Sequence, residues 1–480
     1  MRALISLACL AAAPLAAAPL QLRVATYNAS LNRASQGQLA TDLATGNNAQ
    51  AKQVAEILQR VRPDVVLINE FDYDPANPSL ARDRFHNNYL AVAQNGQTPL
   101  NYPYRYAAPS NTGVASQFDL DNNGFANTTV PPANASTAVK DNYGDDCFGF
   151  GWFPGQYSFA IYSRFPFDLT TIRTFQSFKW KDMPGAVFPP GWYSDSELEV
   201  FRLSSKNHID VQIQVKPGQI LHLLASHPTP PSFDGAEDRN GRRNHDEIRF
   251  WADYISDRSY IYDDLGGVGG LSAALGDQRF VILGDLNADP VDGDSFQGAV
   301  NQLRTHPLVN VSVDPSSPGG PQQSTLQGGR NTAHVGNPAY DTADFNDSSV
   351  GNLRVDHLLP SKAGFTITNA GVFWPLNNDP TFPLVSASDH RLVWMDLTMT
   401  PVLSQSVRNL AIERQGSDIV LTWGTQSGVS YVVEWSEDLV TWSSTPTIPI
   451  ILNSAQQTAK AQDPASASRK FYRIRVGLEE

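Results

Sequence analysis

At 480 residues, with 41% hydrophobic side chains, the chain is too long for one ordinary domain and has enough apolar content for a large core plus a smaller unit. Its net charge of −13 argues against a protein built to cling to the nucleic-acid backbone, which rewards dense Lys and Arg, although it does not exclude a weakly held nucleic acid.

Met1-Arg2 is followed by an almost wholly apolar stretch from Ala3 to Leu15 and then by the small residues Ala16, Ala17 and Ala18. This is the layout of a secretory signal peptide, cut near Ala17 or Ala18. The apolar run is too short for a comfortable membrane span. An exported chain, secreted or periplasmic, without stable membrane insertion is expected. Removal of the leader takes Cys9 with it and leaves Cys147 as the only cysteine, so no intramolecular disulfide can form. Stability must then come from packing or bound ions, and Cys147 reads as a buried or half-buried thiol.

A strand over residues 22–27 ends at Asn28. Val54, Ile57, Leu58 and Val61 recur at helical spacing, Pro63 ends that helix, and Val65-Val66-Leu67-Ile68 forms a strand that stops at Asn69-Glu70. This unit places Glu70 at the sheet's edge, next to Asn28 if the two strands are neighbours. Residues 72–155 are rich in Asn, Asp, Gly, Pro and aromatic residues and read as long ordered loops over the active face. Within them Asp119-Leu120-Asp121-Asn122-Asn123-Gly124 copies the first half of a calcium loop. The twelfth position is Val130 rather than a carboxylate, which rejects an EF-hand and leaves an Asx-rich turn or a lone structural Ca²⁺.

Residues 157–162 read as a strand, with Tyr162 packing, and 200–203, 209–215 and 220–225 as three more, the last ending at Ser226-His227-Pro228. Arg239, Arg242 and Arg243 precede a helix with Ile248, Trp251 and Ile255 on one face. Their guanidinium groups suit bidentate phosphate binding, with solvated or salt-bridged arginines as the blander reading. Gly266 to Gly270 lacks the lysine and hydroxyl of a phosphate loop and reads as a flexible connection. Four apolar residues, Phe280 to Leu283, then form a buried strand. Gly284 lets the backbone turn before an oxygen-rich cluster, Asp285, Asn287 and Asp289. Thiol-free surroundings of this kind suit a hard cation, Mg²⁺, Mn²⁺ or Ca²⁺.

Residues 312–351 form another Pro/Gly/Asn-rich loop region. After it Leu353-Arg354-Val355 leads into Asp356-His357, and Ser386-Ala387-Ser388 leads into Asp389-His390. Strands around Val355 and over 392–397 close this part. From about Pro401 the composition changes: 419–423, 431–435 and 471–476 alternate apolar and polar as in an antiparallel sheet, enough for a small β-sandwich without a catalytic cluster.

Six apolar segments thus each stop at an Asn, Glu, Asp or His. The set Asn28, Glu70, His227, Asp285 with Asn287, Asp356, and Asp389 with His390 resembles, in kind and order, the endonuclease/exonuclease/phosphatase superfamily, the fold of deoxyribonuclease I. The resemblance covers roughly residues 22–398, and Gly284-Asp285-Leu286-Asn287 together with Ser388-Asp389-His390 are its most specific pieces. It implies an α/β fold, a four-layer α/β/β/α sandwich. The expected organisation is a signal peptide over 1–18, a catalytic domain over 19–400 and a fibronectin-like β-sandwich over 401–480.

The resemblance further implies a divalent-metal-dependent phosphoesterase, expected as a monomer. Glu70 is the first metal ligand, with Asn28 and Asp389 beside it. Asp285 orients or deprotonates the attacking water, and Asn287 donates its amide to a phosphate oxygen. His227 and His390 contact the phosphoryl group and shuttle protons, and Asp356 pairs with His390. The carboxylate that supports His227 in deoxyribonuclease-like members has no counterpart, since the position before Tyr157 is Gln156. The expected reaction is phosphodiester hydrolysis by in-line water attack, as a nuclease or general phosphodiesterase, on nucleic acid or a lipid headgroup. Alternatives are a phosphomonoesterase or a sphingomyelinase-type phospholipase. A protein of a different class would be a non-catalytic binder that kept the scaffold.

Overall fold

The computed structural model describes residues 20–216, 219–271 and 279–399, then 408–415, 418–424, 429–437, 441, 443, 448–453, 458–464 and 471–478. The leader expected over 1–18 lies outside the described residues. Two compact units are present, Gln21–Thr400 and a smaller one within Pro401–Glu480. No described helix is long and apolar enough to cross a membrane.

In chain order the large unit contains β1 (Gln21–Leu31), α1 (Gln38–Asp42), α2 (Ala49–Val61), β2 (Val65–Phe71), α3 (Leu80–Phe85), β3 (Tyr104–Ala107), α4 (Thr137–Asp145), β4 (Phe159–Ser163) and β5 (Arg173–Thr174). There follow α5 (Asp195–Leu198), β6 (His208–Lys216), β7 (Gln219–Ser226), α6 (Arg239–Ile255), β8 (Arg279–Asp285), α7 (Asn301–Arg304) and α8 (Gly319–Gln327). The unit closes with β9 (Ala343–Asp344), β10 (Asn352–Leu353), β11 (Asp356–Pro360), β12 (Phe365–Val372) and β13 (Val393–Met399). One sheet has six strands in the order β12-β13-β1-β2-β4-β3 and the other five in the order β11-β8-β7-β6-β5. β1 and β2 run parallel with α2 crossing between them, and β7 and β8 run parallel with α6 crossing between them.

Local signals fix these units. Asn48 caps α2 by accepting the Ala51 N–H at 3.0 Å, and Arg62, at φ 56°, ends the helix before Pro63. The face of α2 bearing Ala51, Val54, Ala55, Leu58 and Val61 is buried. It packs with Tyr27, Val66 and Ile68 of the first sheet, while Ile248 and Trp251 of α6 pack with Phe280 and Ile282 of the second. Successive strand side chains point to opposite faces. Leu22, Val24, Val65, Leu67, Val281 and Leu283 therefore face away from those helices, yet each is 0% exposed. They are covered because the two sheets face each other: a Cβ on Gly284 of β8 would come within 3.6 Å of Leu67 Cδ2 on β2. The result is the expected α/β/β/α sandwich. Each fully buried Val, Leu or Ile contributes about 1.5–3 kcal/mol, so the inter-sheet layer is a main source of stability.

The smaller unit pairs a four-stranded sheet, β14 (Arg408–Gln415), β15 (Asp418–Gly424), β18 (Thr458–Pro464) and β17 (Ile450–Asn453), with a two-stranded one, β16 (Val429–Ser436) and β19 (Phe471–Leu478). Leu421, Trp423, Ala459 and Ala461 of the first meet Val433 and Ile474 of the second in one core, a small β-sandwich.

Several readings need correction. Residues 72–155 are not all loop: they supply α3, α4 and the edge strand β3. Residues 312–351 hold α8 and β9, and β12 had no reading at all. The segment 200–203 is no strand; only an isolated bridge joins Arg202 to Lys179. Glu70 does stand where expected, near the end of β2 and next to Asn28 on the neighbouring β1. Asp356 opens β11, and His390 precedes β13 after a 3-10 turn, Phe382–Ala387, so neither ends a strand. Antiparallel strands enter the same edge from the opposite direction, which places such residues at strand starts.

Candidate active site

The parallel pairing of β1 and β2 sets Asn28 beside Asn69, and Glu70 is one residue further along. Glu70 adopts φ 55°, a backbone state that costs a non-glycine residue of order 1 kcal/mol and directs the carboxylate into the site. The Asn28 amide donates to Glu70 Oε1 at 3.1 Å and to Asp285 Oδ2 at 3.0 Å, joining one carboxylate from each sheet. Asn32 donates to Glu70 Oε2 at 2.6 Å.

Asp285 ends β8, and its own N–H donates to Asn69 Oδ1 of the facing sheet at 3.2 Å. Gly284 is obligatory there, since a Cβ would sit 2.0 Å from Ser226 O. Asp285 is paired directly opposite Asp356 in the β8–β11 ladder. Its Oδ2 lies 3.4 Å from His227 Nε2 and 3.6 Å from His390 Nε2, while His390 Nδ1 lies 2.8 Å from Asp356 Oδ2. Asn287, at φ 51°, donates its backbone N–H to Asp285 Oδ1 at 2.9 Å and its amide to Pro228 O at 3.0 Å. Ser388 donates to Asn28 O at 2.7 Å, and Ser30 donates to Asp389 Oδ1 at 3.1 Å, which brings Asp389 to the rim beside β1. All eight residues singled out in the sequence therefore meet at one end of the paired sheets.

The two histidines are driven apart. Burial lowers His227 to about 4, with the charge of Lys206 adding to the effect, so it is neutral at pH 7. Burial also opposes the charged form of His390, but Asp356 and Asp285 outweigh it and raise the imidazole to about 10. Burial lifts Asp356 to about 6, still well below His390, so the shared proton sits on the imidazole. Asp285 is held well below the usual carboxylate range: burial works against it, but His390 and His227 prevail. His227 Nδ1 is buried with no hydrogen-bond partner among the described residues, in keeping with the missing carboxylate at Gln156.

Asp285, Asp356 and His390 have ligand-capable atoms within 4.8 Å of one another, but the two ring nitrogens of His390 already serve both carboxylates. The unmet demand for positive charge is at Glu70. Its carboxyl is pushed up by burial, which outweighs the charge of His390, and Asp389 and Asp285 add repulsion; among the described residues only the neutral amides of Asn28 and Asn32 donate to it. The carboxylates of Glu70 and Asp389 with the side-chain oxygen of Asn28, and no thiol, are a donor set of the kind that fits a hard divalent cation. The second acidic group, Asp119, Asp121 and Asp146, is largely closed on itself, its oxygens accepting the N–H groups of Leu120, Asn123, Gly124 and Asn127. Arg243 is no phosphate ligand, since its guanidinium is buried on the carbonyls of Leu203 and Arg202. Arg239 pairs with Glu237, and Arg242 donates to Glu237 O and lies over the Phe296 ring.

Sequence reasoning missed Asn32, Asn69 and Lys206. Asn69 stood in plain view beside Glu70. Asn32 and the polar run Ser204-Ser205-Lys206 carry no periodic signal.

The chain belongs to the Endonuclease/Exonuclease/phosphatase family, whose model matches residues 25–390. Members are metal-dependent phosphoester hydrolases, and this chain is an enzyme of that class. Among curated proteins nothing matches. Similar solved structures include an endonuclease/exonuclease/phosphatase from Beutenbergia cavernae DSM 12333, with 15% identity over 96% of this chain and 93% of that chain and a TM-score of 0.43. A beta toxin from Staphylococcus aureus shows 15% identity over 78% and 99% with a TM-score of 0.39. Sphingomyelinase C from Streptomyces griseocarneus shows 14% over 78% and 99% with a TM-score of 0.38.

Proposed function

We propose that the protein is an exported phosphodiesterase, a nuclease or general phosphodiesterase, dependent on Mg²⁺ or, failing that, Mn²⁺ or Ca²⁺. The observation that carries this reading is a single carboxylate, Asp285, held between a neutral and a charged imidazole beside the Asn28–Glu70 pair. Glu70, Asn28 and Asp389 would hold the cation, with the Asn28 side-chain oxygen turned inward; the ion supplies charge neutralisation on the phosphoryl oxygens.

Asp285 accepts a hydrogen bond from the attacking water and takes its proton as the bond to phosphorus forms. His227 Nε2–H and the second amide N–H of Asn287 donate to phosphoryl oxygens. His390 delivers its Nε2 proton to the departing oxygen. Asp356 fixes the ring and stabilises its charge. The proton gained by Asp285 then crosses the 3.6 Å gap to His390 and restores both groups.

The test is hydrolysis of DNA, RNA, sphingomyelin, nucleotides and sugar phosphates before and after chelation, with each metal added back. Metal-restored cleavage of a diester supports the reading. Cleavage confined to monoesters moves the assignment to a phosphatase, and hydrolysis indifferent to chelator overturns it. We also infer that the mature chain begins near residue 19 and that residues 401–480 serve as an accessory module. N-terminal sequencing of the exported protein tests the first point.

A further inference from the structure

Lys206 is a cation in an unusual position. It is only 6% exposed, and its side chain's one hydrogen bond among the described residues runs from Nζ to Pro228 O at a long 3.3 Å. No described carboxylate pairs with it within 4.0 Å. Glu247 is near enough to act on it through space, but its oxygens are taken by the Ser205 N–H at 2.6 Å, the Ser205 hydroxyl at 3.0 Å and the Thr229 N–H at 2.7 Å. Two of the three ammonium N–H groups therefore lack an acceptor among the described residues. Burying such a charge unpaired is costly, and an arriving anion removes the penalty.

The direction of the side chain identifies the anion's place. Pro228 O also accepts the Asn287 amide, at 3.0 Å, so the ammonium and that amide converge on one oxygen atom. Pro228 directly follows His227, and the charges of Asp285 and Glu70 act on Lys206 as well. The lysine is not free to swing away at its base. Glu247, from α6, holds the backbone on one side, and Lys206 O accepts the Asn111 N–H at 2.8 Å on the other.

We infer that Lys206 is a catalytic residue whose ammonium, beside Asn287, binds a non-bridging phosphoryl oxygen of the substrate. This rests on the phosphoesterase reading above and adds to it a positive charge from the protein itself, one that burial disfavours and that Glu247, Asp285, Glu70 and an arriving phosphoryl oxygen favour. No bond is made or broken at the lysine: the two spare N–H groups turn to the oxygen and stabilise its charge as the phosphorus centre is attacked.

The test compares wild type with K206M, K206R and the double variant K206M/E247Q. For K206M we expect kcat/KM to fall at least about 100-fold and competitive inhibition by inorganic phosphate to weaken at least about 10-fold. Its melting temperature and Mg²⁺ titration should stay near wild type, and K206R should recover part of the phosphate inhibition. Retention of wild-type kinetics and phosphate inhibition in K206M overturns the inference. So does recovery of activity in the double variant, which would make Lys206 no more than a counter-ion to Glu247. If K206M does not fold, reductive methylation of the wild-type enzyme decides. Saturating phosphate with Mg²⁺ should slow modification of Lys206, read by mass spectrometry, and equal rates sink the idea. A wild-type protein that hydrolyses no phosphoester refutes the functional reading instead, while the methylation experiment still judges Lys206.

Discussion

Asp285 Oδ2 is shared by Asn28, His227 and His390, so one atom couples both sheets and both imidazoles. Asp285→Asn keeps the shape but removes the charge, and turnover should drop by at least about 10³-fold with little change in melting temperature; a tenfold loss or less would contradict the role given to it. Asn32 acts through Glu70, donating to its Oε2 at 2.6 Å. Asn32→Ala should weaken Mg²⁺ binding by about 10–100-fold, measured by calorimetry, and leave kcat at saturating Mg²⁺ nearly intact. Residues of the first kind were legible in the sequence because they sit in dense short motifs such as Gly284-Asp285-Leu286-Asn287. Asn32 and Lys206 were not, because each acts through a contact with a distant segment, and nothing in their flanks encodes that contact.

At the scale of elements, the apolar runs Val65-Val66-Leu67-Ile68 and Phe280 to Leu283 were readable as strands because both faces of each sheet are buried. The helix over 49–61 was readable from its 3.6-residue period. The short β3, β9 and β10 and the polar β12 were not, since their pairing partners decide their structure rather than their own composition. Gly284 is the sharpest element-level constraint. Gly284→Ala forces β8 away from Ser226 O and should cost more than about 2 kcal/mol, read by urea denaturation, and abolish activity by displacing Asp285. Leu67→Ala, in the layer between the sheets, should destabilise by about 2–5 kcal/mol but leave residual activity in the folded fraction.

For the molecule as a whole, buried histidines and buried carboxyls pull the response to acid in opposite directions. Burial lowers His208 to about 3, His227 to about 4 and His357 to about 3, all below an ordinary 6.5. A group with a depressed folded value binds fewer protons when folded, so its contribution is complete above 6.5 and fades as pH falls toward 4. His390 has the opposite sign: its contribution is complete below 6.5 and disappears as pH rises toward 10. The carboxyls of Asp145, Asp341 and Asp356, raised chiefly by burial to about 6, 8 and 6, work in the opposite sense over the same range. The histidine share is therefore read as a difference: metal-free His208→Asn, followed by urea denaturation, should lose less stability between pH 7 and pH 4 than wild type, and identical profiles would refute the protonation state assigned to His208. The division of labour between the sheets has a further outcome. Asn28 and Glu70 ride on one slab and His227, Asp285 and Asp356 on the other, so neither slab alone owns a working cleft. A chain that is still being threaded, or that has assembled only one slab, is chemically silent, and the onset of turnover can serve as a clock for the moment the halves close.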